Sequence, residues 1–336
     1  MAGIDSTWGS THLQRSEIFS AQMKEMLRDE LIAQQYVRWL TEIPSDSIRT
    51  GLFINSVGTL EVDDWQEHVS LPERRMDTGQ FQFNIDEFKG LKVPYTDHFL
   101  ETSFQANEVL SRTPMEMKRA MDVYLEGKIM ELGNEQTLSS ANTINNARHR
   151  FVGAGTGTAV PNDHLTPEDF AYAKYALKKA NVPLTGLVAV VSPEEEFYLS
   201  TLSNLTDLSY NPRWEGIVET GLLDTTGIRF IRNIYGFDVY VSEYVAETTT
   251  DESGGLTTYD GSAIQGADTT GYNTNLFFSM ADDMVKPFVG AWGRTPRMAT
   301  WRDDDIETEY HQLTGSFGLG LYRPESLVSI LTPSSL

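Results

Sequence analysis

The chain has 336 residues, no cysteine and a formal net charge of −22. Its length allows one large core or two domains, and an apolar fraction of 40% with 16 Phe and 14 Tyr excludes a disordered chain. The missing thiols exclude disulfides and thiolate metal sites, the acidic surplus disfavours nonspecific nucleic-acid binding, and no run approaches the roughly 18 apolar residues of a membrane span.

Residues 1–10 are polar and carry no basic-then-apolar export signal. Residues 16–40 read as an amphipathic helix. Phe19, Met23, Met26, Leu27, Leu31 and Tyr36 recur at helical spacing, and Pro44 sets the latest end. Such a helix either docks on its own domain or lies as an arm on a neighbour.

Residues 51–96 change character. Phe81, Phe83 and Ile85 alternate with polar residues, which predicts a half-buried strand, and Leu60, Val62 and Val69 offer a partner strand. The two make a long ribbon with Glu73, Arg74 and Arg75 in its middle. A two-stranded ribbon is marginal alone in water, so it needs a surface, its own or another chain's. Arg74 and Arg75 are either a solubilising turn or, once desolvated, bidentate partners for carboxylates across a contact.

Thr113 to Leu132 reads as the strongest helix. Thr113 can cap, Pro114 suits the first position, Glu116 completes a capping box, and Gly133-Asn134 offers a stop. Residues 139–159 read as loop or irregular strand, with the Gly153–Gly157 run a flexible turn that lacks the Lys-Ser/Thr of a phosphate loop. Leu165, Thr166, Asp169 and Phe170 announce a capped and stapled helix that stops before Pro183. A buried strand follows at 186–191, and Ser192, Pro193 and Glu195 begin another helix by the same capping logic. Residues 228–231 and 237–241 bracket Tyr235-Gly236 as paired strands. Residues 246–273 read as an exposed loop within a stretch, Asn233 to Val285, that has no Lys or Arg. Later strands are expected at 276–278, 288–298, 306–310, 317–322 and 327–331, giving an α+β chain overall.

No residue set favours chemistry. The six His are scattered, without the paired spacing of a helical zinc site, and no nucleophile elbow is present. Asp303, Asp304 and Asp305 form a carboxylate cluster with Glu307. It can be a solvated strand-end turn, a weak divalent site, or a partner for an Arg of a neighbouring subunit. No catalytic, cofactor or metal role is assigned to any residue.

In this order of elements the chain resembles the major capsid proteins of tailed bacteriophages, from about residue 16 to residue 333. The resemblance is carried locally by Val182-Pro183, by Leu187-Val188-Ala189-Val190-Val191-Ser192-Pro193, and by Ile228-Arg229-Phe230 through Tyr235-Gly236-Phe237-Asp238-Val239-Tyr240-Val241-Ser242. It implies a Hong Kong 97-like fold with residues 1–50 as an N-terminal arm and 51–96 as an extended loop over a neighbour. Residues 97–160 and 300–336 would form a peripheral domain with 113–132 as its spine helix, and 161–299 an axial domain. It also implies hexamers and pentamers in a virion shell around DNA, with a portal and a decoration protein as candidate partners and no membrane. Residues 1–15 precede the first helix, which implies a separate scaffolding protein, or none if the chain is already mature. Lys89 and Lys92 fall at the base of the loop, so no covalent cross-link is mapped. The alternatives are a nanocompartment shell protein of the same fold type, a hydrolase using Asp303 to Asp305, and a β-rich tail or adhesion protein.

Overall fold

The computed structural model describes residues 31–40, 52–57, 78–102, 106–135, 143–153, 164–201, 230–248, 259 and 271–334. In chain order these form β1 (Val37–Leu40), β2 (Leu52–Val57), β3 (Thr78–Phe83), β4 (Glu87–Thr96), α1 (Asp97–Thr102) and α2 (Ala106–Glu131). Then come β5 (Thr143–Ile144), β6 (Ala147–Arg148), β7 (Arg150–Val152), α3 (Pro167–Lys179), β8 (Leu187–Val191) and α4 (Pro193–Thr201). The rest is strand: β9 (Phe230–Ile234), β10 (Phe237–Val241), β11 (Glu247–Thr248), β12 (Tyr272–Ser279), β13 (Phe288–Asp303), β14 (Thr308–Leu321) and β15 (Leu327–Pro333).

One sheet runs β7-β15-β12-β8-β10-β9, with β11 added against β12. Every residue of β8 is buried, as a central strand covered on both faces requires. On one face Phe170, Ala173 and Leu177 of α3 and Leu199 of α4 pack on Phe151, Phe237, Phe277 and Ile330. On the other, Val188, Val190, Leu276 and Phe278 meet Leu125, Ile129 and Met130 of α2. The capping box of α3 is present in full: Asp169 N–H donates to Thr166 Oγ1 and Thr166 N–H to the Asp169 carboxylate. Tyr235 and Gly236 turn β9 into β10 with φ of 51° and 95°, the two positive values of a tight hairpin turn.

The second sheet is β1-β13-β14-β4. Its root shares the core of the first sheet through Phe288 and Phe317, while further out Leu313 and Val93 rest on Met117 and Met121 of α2. One long helix therefore underlies both sheets.

Several sequence expectations change. Helix α2 starts at Ala106, seven residues before Thr113, and carries Pro114 inside it. Thr113 is no cap: its hydroxyl bonds back to the Val109 carbonyl and meets Tyr95 Oη. The predicted box at α4 is also unused. Ser192 Oγ has no partner, and the Glu195 carboxylate accepts instead from His164 Nδ1 at 2.7 Å and Leu165 N at 2.8 Å. The helix expected over 16–40 does not reach its end, because Val37–Leu40 is a strand parallel to β13; residues 16–30 lie outside the described residues. Strand β3 pairs with Leu52–Val57, and the expected partner at Leu60 to Val69 lies outside the described residues. The loop expected over 246–273 contains β11 and the start of β12. The strands expected at 306–310 and 317–322 are one strand, β14.

Candidate assembly surfaces

The first surface is the strap at residues 31–40. Ala33–Tyr36 form a short 3-10 turn whose N-terminus has no side-chain cap of its own. The cap comes from α2. Glu126, fully buried, accepts from Ile32 N at 2.8 Å and from Ala33 N at 2.8 and 2.9 Å. One turn earlier, Asp122 accepts from Gln34 Nε2 at 3.4 Å. Burial pushes the Glu126 carboxyl up from its ordinary range, and the two amides pull it partly back. At the end of the turn Tyr36 lies edge-on to Phe278, and beyond it Trp39 stacks on Trp292 with ring centroids 5.2 Å apart. The strap can sit this close because position 290 is glycine: a Cβ there would meet Val37 Cγ1 at 2.8 Å and Trp39 Cζ3 at 2.9 Å. The segment that leads out of residues 1–30 is thus fixed to the core at three points.

The second surface is the ribbon. Strands β2 and β3 pair antiparallel from Leu52↔Phe83 to Val57↔Thr78. The ribbon is not wholly outlying: Ile54 and Phe81 pack with Ile85 on Val289 and Ala291 of β13, and Phe81 meets Tyr322 edge-on. Glu73, Arg74 and Arg75 lie outside the described residues. Residues 87–96, read from sequence as part of the same excursion, are instead strand β4, paired along its whole length with β14. Lys89 and Lys92 are therefore sheet residues. Lys89 bonds Glu87 at 3.0 Å, and that contact holds the Glu87 carboxyl below its ordinary range.

The third is the hairpin of β13 and β14. Asp303, Asp304 and Asp305 stand at its tip, where Glu307 takes a φ of 46°. Asp304 is held by Arg302 Nε at 2.8 Å, while Arg302 also reaches Asp97 at 2.6 Å. Asp303 Oδ1 accepts the Asp305 amide at 3.1 Å, so this carboxylate shapes the turn. Beside them Ile306 is 54% exposed. Among the described residues no three His, Asp or Glu side chains are grouped to hold a metal ion, and no helix is long and apolar enough to cross a membrane.

Glu126 was missed in the sequence, where it reads as one more surface acid of a charged helix. The available signal was its place between Leu125 and Ile129 on the face that is buried.

Comparison with known structures bears on the fold. The structure matches the capsid of cyanophage P-SCSP1u with a TM-score of 0.67 at 14% identity, over 95% of this chain and 93% of that one. It matches the capsid asymmetric unit of cyanophage Pam1 with a TM-score of 0.65 at 13% identity, over 99% of both chains. The mature capsid of bacteriophage PhiM1 gives 0.65 at 11% identity, over 98% and 97%. No curated protein sequence matches. A family model described as phage capsid protein matches residues 80–330, which runs from β3 to β15. By that match over most of its length, the chain belongs to the phage capsid protein family.

Proposed function

We propose that this chain is the major subunit of an icosahedral virion shell, assembling as hexamers and pentamers around double-stranded DNA. The observation that carries the reading is the family match across residues 80–330. Residues 1–50 act as an N-terminal arm whose exit is set by the strap, and residues 51–86 as a loop that reaches a neighbour. Helix α2 with the outer sheet serves as a peripheral unit, and the seven-stranded sheet with α3 and α4 as the axial unit that gathers around symmetry axes. Support comes from the two sheets sharing α2 and from the pairing of β4 with β14 along residues 87–96. Glu73, Arg74, Arg75 and the tip residues Asp303, Asp304 and Asp305 are contact candidates between copies. A scaffolding protein, a portal and a decoration protein are the partners this role implies.

The physical work is done by many modest contacts closed by symmetry, and arms that reach across contacts multiply weak affinities. A net charge of −22 suits a wall that encloses DNA without holding it. The decisive experiment is electron microscopy of the purified chain and of a deletion of residues 67–79. The intact chain should form closed shells, and the deletion should stay folded and soluble without forming them. Normal shells from the deletion would overturn the role given to the loop. Particles from the native host loaded with an enzyme instead of DNA would favour a nanocompartment shell.

A further inference from the structure

The outer sheet has two unlike faces. One is covered by α2, with Leu313 and Val93 on Met117 and Met121. Among the described residues the opposite face is covered at its root alone, where Ile54 and Phe81 of the ribbon sit on Val289 and Ala291. Further out Lys92, Pro94, Arg297 and Trp301 are exposed. The register sets Tyr310 between Pro94 and Trp301, and two residues on it sets Gln312 between Lys92 and Ala299. Side chains two apart on a strand share a face, so Lys92, Trp301 and Tyr310 lie together, with Arg297 and Phe88 further along the same face.

These groups already form a built patch. Trp301 stacks on Tyr310 with centroids 5.5 Å apart, and the Lys92 ammonium lies 3.6 Å from the Tyr310 ring centre and 4.9 Å from that of Trp301. The rings attract the ammonium, and neither Lys92 nor Arg297 forms an ion pair among the described residues. Elsewhere Lys89, Arg112, Lys128, Lys286 and Arg302 have carboxylate partners. Trp301 is 38% and Phe88 67% exposed. Aromatic rings beside cations are the composition of interface hot spots.

The edges of the same sheet are blunted. Strand β4, at the sheet's edge, contains Pro94, and β13, which among the described residues pairs with β1 only over Phe288 to Ala291, carries Pro296 within a register shift. Proline offers no donor to an incoming strand, so the face, not the edge, is left to make contact.

We propose that this face, centred on Lys92, Trp301 and Tyr310, is a docking surface for a second copy of this chain, which meets it with carboxylate and apolar side chains. The proposal rests on the shell reading. Copies that each carry −22 repel at long range, and close contact between them needs local patches of opposite sign. This patch supplies the positive sign, and the acid-rich surface of any neighbour supplies the other.

The test has two arms. Lys92→Glu with Arg297→Glu changes two exposed side chains, so the subunit should fold with an unchanged thermal transition while closed-particle yield falls at least tenfold. In the second arm, a photo-cross-linking phenylalanine at position 301 in the otherwise unaltered chain should give covalent dimers on irradiation of particles. A wild-type chain that stays single overturns the shell reading and this proposal with it. Wild-type particles together with an equal yield from the double variant overturn this proposal alone. So does cross-linking confined within one chain, since the face would then be covered by its own subunit.

Discussion

Replacing Glu126 with alanine should free the strap at residues 31–40 while the two sheets remain folded. The substitution removes the acceptor for the Ile32 and Ala33 amides, which the carboxylate now receives at 2.8 to 2.9 Å. A bond from a buried amide to a charged acceptor contributes about 1.5–3 kcal/mol net, so two amides amount to roughly 3–6 kcal/mol. Part of this is offset, because alanine also removes a carboxylate whose burial is itself unfavourable. A net weakening of about 2–4 kcal/mol corresponds to amide exchange in the strap faster by roughly 30- to 1,000-fold. Hydrogen exchange followed by mass spectrometry on a peptide covering 31–40 measures this, with a peptide from the buried strand β8 as control. Unchanged exchange in the strap would refute the reasoning. Equal acceleration in both peptides would refute it too, by showing that Glu126 supports the whole domain and not the strap.

Two further outcomes are expected. His149 is fully buried, donates from Nδ1 to the Leu327 carbonyl at 2.9 Å, and has its pKa lowered by that burial. The unfolded chain therefore binds a proton near pH 6.5 that the folded chain refuses, so stability falls as pH drops below about 6.5, by up to about 1.4 kcal/mol per unit. In urea titrations from pH 7.5 to 5.0, His149→Gln should flatten that slope; an identical slope would exclude His149 as its source. Gly290→Ala places a methyl against Val37 and Trp39 and should cost about 1–3 kcal/mol, read as a lower thermal midpoint with faster exchange in 31–40; a wild-type midpoint would show that β1 adjusts freely.

What the sequence disclosed and what it withheld divide along one physical line. The cap of α3, the buried strand β8 and the Tyr235-Gly236 hairpin are set by residues within a few positions of one another, and each was legible. Position 37 was not, because Val37 becomes a strand only by pairing with Phe288, far along the chain. Thr113-Pro114 misled for the opposite reason. The local start signal is sound, but packing of the first turns of α2 carries the helix through it, and the Thr113 hydroxyl finds the Val109 carbonyl instead. Among the assembly candidates, Asp303 to Asp305 were visible as a run of acids, yet their engagement with Arg302 and with their own turn was not. The Lys92 patch was least legible, since it needs three strands in register before its members meet.

The β13–β14 hairpin has a mechanical consequence. Its strands are 16 and 14 residues long, which at about 3.3 Å per residue gives a reach of roughly 45–50 Å. The register shifts twice in its lower half, between Trp292 and Arg294 and between Arg294 and Arg297. A tilt of about 5° there, over the roughly 20–36 Å from the break to Asp303, would move the tip by roughly 2–3 Å, about the length of an ion pair. Small angular play at two irregular spots is thereby enough to exchange one ionic neighbour for another at the far end, so one sequence can satisfy environments of differing curvature without refolding.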